Sequence, residues 1–364
     1  MVSNRRSFLA RLLAASAASA APRIGWAAAG NPAYLAAARR PSGAFELHGL
    51  DQNGAQRFAI PLPARGHAGA GHPSKPIAVA FARRPGLFAL VIDCAAGQIR
   101  QMLTPPKGLH FNGHGCFAKG GALLITAEQD AATSAGRIGF WDATQGYRRL
   151  GEASTHGIGP HDLRLMPDGE TLILANGGIA TDPKDRRKLN LESMAPSLAY
   201  IDLGGVLREE LRLEPKLHQA SIRHLALRDD GLVGFAMQWQ GAPDQDVPLL
   251  GFHRRGGPAI LAQTPLAELR AMQGYAGSIA YGASGEEIAI TSPRGGRVLR
   301  YSAKDGAIGG FLDGLSRADV CGLATHETGL LASDGLGGLI AIEAGKARAL
   351  SRSPLAWDNH IVSL

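Results

Sequence analysis

Histidines recur along this chain at the spacing of a structural repeat, and each begins a segment with the composition of a β-strand. His67, His114 and His161 are 47 residues apart, and His224 and His360 begin two further segments of the same kind. A repeat of roughly 40–50 residues made of short strands is typical of a β-propeller, in which each repeat is one four-stranded blade. Because the first strand of every blade lines the central channel, the spacing predicts that these imidazoles converge on one axis.

The composition and the turn signals of the 364-residue chain are those of an all-β protein. It has 48 glycines and only 6% aromatic residues, as expected for a fold with many tight turns. Asp168-Gly169 and Asp230-Gly231 each separate two apolar runs. Since Asp-Gly accepts the positive φ angles of a tight turn, both pairs predict β-hairpins.

Each end of the predicted fold lacks part of a blade. Strands are predicted at residues 34–38, 45–50 and 57–62 without an inner strand, and residues 359–364 form a lone strand at the end. Joined, they complete a seventh blade and remove the last open sheet edge. We therefore predict an all-β chain with one seven-bladed β-propeller over residues 30–364. Six or eight blades, a pair of β-sandwiches and a solenoid are the alternatives.

The first 29 residues have the pattern of an export signal. Residues 4–9 read NRRSFL, a twin-arginine motif, and an apolar stretch follows at residues 12–21. Small residues offer a cleavage site at 27–29, with residues 18–20 as an earlier option. An ordinary secretory signal or a short anchor is the alternative. No later segment has the roughly 18–20 continuous apolar residues of a membrane span. We expect export by the twin-arginine pathway and a periplasmic location.

The charge and the cysteines exclude two classes of protein. Residues 1–29 carry four arginines and no acids, so their removal lowers the formal net charge from +7 to about +3. So small a charge on a chain of this length argues against a nucleic-acid partner. Cys94, Cys116 and Cys321 are odd in number and far apart in sequence, which does not indicate a disulfide framework. We expect buried free thiols, with a metal-binding cysteine as the alternative.

Two positions in each blade open onto the same face of a propeller. The first position, at the start of the inner strand, is taken round the ring by His67 or His72, His114, His161, His224, Ser278, Cys321 and His360. The second, after the next strand, is taken by Asp93, Glu128, Asn176, Gln238, Arg294 and Asp334. A lone histidine at a strand end usually caps a turn, but five at equivalent positions favour a shared ion or ligand.

The ligand types indicate which metal would bind. We predict that the metal ligands are His114, His161, His224 and His360, with Glu128 as an acidic ligand. The predicted ligand-binding residues around them are His67, Asn176, Gln238, Arg294, Cys321 and Asp334. Imidazoles suit Fe, Cu or Zn, whereas Ca²⁺ and Mg²⁺ prefer oxygen ligands. The chain has neither an HExxH nor a CxxC motif, and without CxxCH it has no site for covalent haem.

Longer motifs give a family resemblance. The segments that carry it are GIGPHDL (157–163), LANGGI (174–179), KLNL (188–191), MAPSL (194–198), LHQASIRHL (217–225), residues 291–297 and residues 319–322. Together they resemble domain-of-unknown-function family 1513, whose members are twin-arginine-exported propellers related to YVTN and quinoprotein propellers. The resemblance covers essentially the whole chain after the signal. It implies iron or copper handling, beside imelysin-like or di-haem peroxidase-like periplasmic partners.

Three functions remain open on the sequence. The first is a periplasmic propeller that binds a transition metal, or a metal-linked ligand, at a histidine-lined funnel. The second is a lactonase-like hydrolase, in which a metal polarises a carbonyl and a carboxylate or imidazole acts as base. The third is a metal-free scaffold for a partner protein. No catalytic residue is assigned, and whether the chain is an enzyme stays open.

Overall fold

The computed structural model describes residues 25–84, 86–182, 185 and 187–364. The twin-arginine motif, the apolar stretch after it and the earlier cleavage site lie outside the described residues. Seven four-stranded sheets form the blades of a propeller, which confirms the predicted fold class. None of the helices among these residues is long and apolar enough to cross a membrane.

The blade that closes the ring takes strands from both ends of the chain, as predicted. It contains β1 (Tyr34–Arg39), β2 (Phe45–Leu50) and β3 (Gln56–Leu62), with β28 (Ala356–Ser363) as its inner strand. β1 and β28 pair antiparallel, and Leu35 lies opposite Val362. This pairing holds the ring closed, because it joins the strand that would otherwise leave the sheet open.

The other six blades follow in chain order, and the four strands of each blade are given from the axis outwards. Blades one to three contain β4 (Gly66–Gly71), β5 (Ile77–Ala82), β6 (Ala89–Asp93) and β7 (Gln98–Leu103); β8 (Leu109–Ala118), β9 (Leu123–Asp130), β10 (Ala135–Asp142) and β11 (Arg148–Ile158); β12 (Pro160–Leu165), β13 (Thr171–Asn176), β14 (Ser197–Asp202) and β15 (Leu207–Arg212). Blades four to six contain β16 (Ala220–Leu227), β17 (Val233–Trp239), β18 (Leu250–His253) and β19 (Ile260–Leu261); β20 (Ser278–Tyr281), β21 (Glu287–Ser292), β22 (Arg297–Ser302) and β23 (Phe311–Ser316); β24 (Val320–His326), β25 (Gly329–Asp334), β26 (Gly338–Glu343) and β27 (Lys346–Arg352). Among the described residues, one α-helix, Leu266–Ala271, and four short 3₁₀ turns, Gly25–Ala29, Lys119–Gly121, Leu191–Ser193 and Pro215–Leu217, lie between strands or before the first one.

The hydrophobic core lies between neighbouring blades. One cluster joins blades four and five through Leu250 and Phe252 on one side and Ile288 and Leu299 on the other, all fully buried. The middle strands are buried on both faces and read as continuous apolar runs, whereas an outer strand such as β15 alternates between half-buried and exposed residues. Burying a large aliphatic side chain stabilises the fold by about 1.5–3 kcal/mol, so these seams hold the ring rigid around its axis.

The 3₁₀ turn Gly25–Ala29 packs onto this core although it falls within the predicted signal. The indole Nε1 of Trp26 donates to the carbonyl of His72 at 3.0 Å, and Ala29 is buried. Cleavage after Ala29 would remove both contacts. The boundary between a signal at residues 1–29 and a domain at 30–364 stays a prediction.

The inner strands carry irregularities that determine where the histidines point. The pairing register shifts between Gly66 and Gly69 in β4, between Phe111 and Gly115 in β8, and between Pro160 and Asp162 in β12. The same occurs in β16, β24 and β28, whereas β20 pairs regularly. A β-bulge leaves a residue unpaired and re-aims its side chain. His67, His114, His161 and His360 all lie inside such bulges, so their side chains are turned towards the axis.

Candidate metal centre

Five imidazoles meet on the propeller axis, as the repeat spacing predicts. The ring centroids of His67 and His360 are 4.4 Å apart, those of His161 and His224 4.7 Å, and those of His114 and His360 4.8 Å. All five residues are at most 8% exposed. Blades one, two, three, four and seven each contribute one ring, and the inner strand of each blade brings it to the same point.

Four of the rings place nitrogen atoms close enough to share one ion. One ligand atom from each of His67, His114, His161 and His360 lies within 4.8 Å of the others. Donors at about 2.1 Å from a tetrahedral ion lie roughly 3.4 Å apart, so small side-chain rotations would complete such a shell. His224 stands beside this group, with its ring 4.9 Å from that of His360. The group could therefore hold a metal ion.

The sequence left open whether His67 or His72 of blade one belongs to the ring, and the structure places His67 there. His72 lies at the other end of the strand, where its Nδ1 accepts the backbone N–H groups of Ser74 and Lys75 at 3.1 Å each. Its ring packs against Phe117, with centroids 5.2 Å apart. His72 is therefore a turn-capping residue, and His67 belongs to the ring as a fourth candidate metal ligand rather than only a surrounding one.

Several imidazole nitrogens in the cluster have no hydrogen-bond partner. Buried atoms of this kind include His114 Nε2, His224 Nδ1 and His360 Nε2. Burying a polar atom without a partner costs about 1–3 kcal/mol, and folded proteins seldom tolerate several at one place. A metal ion would give these lone pairs a partner, so the donor set fits a metal.

The protonation of the rings also suits a metal. Burial lowers the pKa of His67 to about 4. Burial first, and then the neighbouring imidazoles, hold the pKa values of His161, His224 and His360 well below the usual range. At neutral pH these rings are uncharged, which is the form of imidazole that binds metal ions.

Two buried carboxylates contact the ring from outside, and neither was predicted. Asp162 Oδ1 lies 3.1 Å from His114 Nδ1, and Asp162 Oδ2 accepts the Leu225 N–H at 3.0 Å. Asp358 Oδ1 lies 3.7 Å from His67 Nδ1. A carboxylate on one imidazole nitrogen fixes the tautomer and directs the other nitrogen at the metal. The sequence signal was an aspartate next to or two residues before a ring histidine: Asp162 was read only as part of a family motif, and Asp358 was not singled out.

The pKa values of both carboxyls remain low in spite of burial. Burial alone would raise the pKa of Asp162, but Arg164 and then His114 hold it well below its usual range. For Asp358, burial is likewise opposed by its interaction with His67 and then by the charge of Arg65, which bring its pKa to about 2. Both groups are therefore carboxylates at neutral pH, and Asp162 can accept a hydrogen bond from the His114 Nδ1–H group.

The structure does not bring Glu128 to the ring. Its two oxygens are 2.7 and 2.8 Å from Nη1 and Nη2 of Arg149, and Oε1 also accepts the hydroxyl of Thr126. The guanidinium group of Arg149 lies over the Trp141 ring. Glu128 thus takes part in a buried ion pair within blade two, and the group of candidate metal ligands on the axis consists of imidazoles alone.

Of the other predicted ligand-binding residues, Gln238 and Arg294 line the funnel above the ring, together with His67. The remaining three serve other contacts. Asn176 is fully buried and donates to the carbonyl of Thr155 at 2.9 Å, and Asp334 is paired with Arg317. Cys321 Sγ lies 3.4 Å from the carbonyl of Asp358. Asp334 also accepts the N–H groups of Leu336 and Gly338 in its own turn. The polar groups at these three positions are thus occupied by protein contacts outside the ring.

All three cysteines are free, as predicted, with Cys94 and Cys321 buried and Cys116 half-buried. Burial raises the pKa of each thiol to about 12. They are therefore protonated at neutral pH and lack the thiolate that binds metals.

The funnel is a cavity of about 320 Å³ whose floor includes His67, His161 and His224. Its other described lining residues are Arg83, Arg84, His110, Ile179, Thr181, Asp182, Lys188, Arg223, Gln238, Trp239, Gln240, Gly241, Tyr275, Arg294 and Asn359. A much smaller cavity of about 30 Å³ lies against His114, His224 and His360. The ring thus has one wide approach and one narrow one. Most of the other polar side chains of the wall lie outside the two repeat positions: Arg223 is in β16, and Arg83, Arg84 and Lys188 are in loops.

Comparison with known proteins supports the fold and assigns a family. A search of curated proteins finds no match. Among solved structures, hydrazine synthase of Kuenenia stuttgartiensis is similar, with a TM-score of 0.58 and 13% identity over 88% of this chain and 95% of that chain. Identity this low shows a shared fold alone. The profile of the family described as "Protein of unknown function (DUF1513)" matches residues 60–364. The chain therefore belongs to that family.

Proposed function

We propose that this propeller binds one transition-metal ion on its axis, and that holding or handing on this ion outside the cytoplasm is its role. The observation that carries the proposal is the set of buried imidazole nitrogens without a partner at one point. Structural polar groups in a core are normally satisfied by protein atoms. Lone pairs left unsatisfied from several blades at once have a ready explanation if an ion satisfies them all.

The donor chemistry favours Fe, Cu or Zn. Imidazole is a borderline ligand that suits these ions, whereas Ca²⁺ and Mg²⁺ require carboxylate and carbonyl oxygens. Asp162 and Asp358 would stay outside the shell and orient His114 and His67. Export of the chain to the periplasm belongs to the same proposal, since the NRRSFL motif supports it. Among these ions, iron and copper fit the expected role.

Metal binding explains the site better than lactone hydrolysis does. A hydrolase of that type needs a base close to the metal-bound water. Asp182 is the one carboxylate among the described residues that line the funnel, and it lies 3.7 Å from Nη2 of Arg187. The floor of the funnel supplies imidazoles in numbers that would complete a coordination shell.

Elemental analysis of the full chain tests the proposal. We expect about one equivalent of Fe, Cu or Zn in protein purified without an affinity tag, or after reconstitution and gel filtration. The variant H114A/H161A/H360A should remain folded by circular dichroism and lose the metal. The matched variant H72A/H156A/H218A also lacks three histidines, all outside the ring, and should keep it. Metal in none of the proteins, or equal amounts in all three, would overturn the proposal.

A further inference from the structure

The funnel above the histidine ring is strongly cationic. Its described lining includes five arginine and lysine side chains, Arg83, Arg84, Lys188, Arg223 and Arg294, against the single carboxylate of Asp182. The mature chain as a whole has only a small positive charge, so this concentration is local. A concave wall of one sign raises the local concentration of oppositely charged ligands.

One of these cations lies at the floor, next to a candidate metal ligand. Arg223 is only 7% exposed, and its Nη1 lies 3.5 Å from His161 Nδ1. It occupies the bulge of β16, beside His224. The guanidinium group is well suited to bind carboxylate or phosphate oxygens, and Arg223 lines the cavity. The floor therefore combines imidazoles with a donor for an oxyanion.

The rim is arranged to hold charge in fixed positions. The Arg294 guanidinium lies 4.4 Å from the centroid of the Tyr275 ring, and the Lys188 Nζ donates to Gln240 Oε1 at 2.5 Å. Burial, followed by the charges of Arg223 and Arg294, lowers the pKa of Lys188. Cations that crowd one another in this way are stabilised when an anion enters between them.

We propose that the funnel binds a small polyanion, one acidic group of which faces the imidazole floor and Arg223 while another pairs with Lys188 and Arg294 at the rim. This rests on the proposed function, because a bound metal ion at the floor would add a further attraction for the same anion. The cavity of about 320 Å³ has the size of a small-molecule site. It would hold roughly ten waters, so a di- or tricarboxylate or a small phosphate ester fits.

Calorimetric titration with two anionic probes and one uncharged control tests this inference. The probes are tricarballylate, which carries three carboxylates and is a weak chelator, and inorganic phosphate. The control is propane-1,2,3-tricarboxamide, which has the shape of tricarballylate without its charge. Each is titrated into the full chain with and without metal, at a constant ionic strength of about 0.1 M because exposed charges are screened by salt. The funnel variant is K188Q/R294Q, which leaves the five histidines unchanged. Its matched control is K346Q/R348Q on the outer strand β27, with the same loss of charge.

We expect one bound oxyanion per chain and no binding of the amide. The affinity should fall about tenfold or more in K188Q/R294Q, because charge-assisted contacts are removed, and should not fall in K346Q/R348Q. Whichever of the two oxyanions binds more strongly identifies the ligand class as carboxylate or phosphate. Equal affinity in both double variants, or binding of neither oxyanion, would overturn the inference. Metal content measured in the same samples keeps the two claims apart. If the anion binds in a charge-dependent way but no metal is present, the proposed metal-binding function is contradicted and the anion site stands. If metal is present but no anion binds, the anion site is contradicted and the proposed function stands.

Discussion

Asp162 is the residue whose role in the site is most sharply defined by its contacts. It accepts from His114 with one oxygen and from the Leu225 N–H with the other, and it has almost no access to solvent. In D162N the amide group cannot accept on both sides, so His114 loses its orientation or the backbone contact breaks. We expect metal affinity to fall about 10–100-fold, as for other partners of metal-binding histidines. D168N, in an exposed turn of the same blade, should leave the affinity unchanged. Competition with a chromogenic chelator measures it, and equal affinities for D162N and the unaltered protein would contradict this role.

Gly113 shows how closely neighbouring blades approach at the ring. Its φ angle is 93°, a conformation that costs other residues energy, and a Cβ at this position would lie 2.5 Å from His67 Cδ2. G113A should therefore displace the His67 ring and weaken metal binding while leaving the propeller folded. G97A, at a glycine with similar backbone conformation (φ 67°) and open space around it, is the control for backbone strain alone. If both variants keep the full metal affinity, His67 does not contribute a ligand.

Strands of adjacent blades are also joined by histidines outside the ring, and one of them predicts how stability depends on pH. His253, at the end of β18, is fully buried; its Nε2 donates to the Gly257 carbonyl at 2.9 Å and its Nδ1 accepts the Tyr200 hydroxyl at 2.7 Å. Burial lowers the pKa of His253, although Gly257 and the nearby Glu209 act in the opposite direction. Arg255 lies over the Tyr200 ring in the same region.

Because the folded-state pKa of His253 is depressed, the unfolded chain binds this proton more readily. The contribution of His253 to stability is complete above its ordinary pKa of 6.5 and is lost as the pH falls below it. Urea unfolding at pH 7.5 and pH 5.0 tests this. H253N should be less stable than the unaltered protein at pH 7.5 but lose less stability on acidification. H156N, at an exposed histidine, should lose as much as the unaltered protein. Identical losses in all three would exclude His253 as an acid-sensitive contact.

At the scale of the whole molecule, the metal site and the closure of the ring share one strand. β28 supplies His360 and Asp358 and pairs with β1. An ion held by His360 together with rings from blades one to three therefore ties the closing blade to its neighbours. Free metal at 100 times its dissociation constant should stabilise the folded state by about 2.7 kcal/mol. Thermal unfolding should show a higher Tm with metal, no change in H360A, and the full change in H156A. If metal raises the Tm of H360A as much as that of the unaltered protein, the ion does not stabilise the fold through the closing blade.

Much of the fold follows from the sequence because its signals are local and repeated. Asp168-Gly169 identifies a hairpin by itself, and the orphan strand that contains His360 implies the shared blade. The site could be predicted from the sequence only in part. Repeat spacing brings the histidines together, but Glu128, at the second of the two repeat positions, pairs with Arg149, because spacing does not reveal the direction of a side chain. Arg294 was found from its repeat position, whereas Arg223 comes from a bulge and Arg83, Arg84 and Lys188 come from loops, where position in the repeat no longer determines position in space.

X-ray absorption at the edge of the bound metal tests the central claim most directly. The account predicts a first shell of four or five nitrogen scatterers at roughly 2.0–2.1 Å, with the outer-shell scattering of imidazole rings. H114A/H161A/H360A should lose that spectrum, while H72A/H156A/H218A should retain it. A shell of oxygen or sulfur without imidazole scattering, or a spectrum unchanged by the loss of three ring histidines, would contradict a metal centre on the propeller axis.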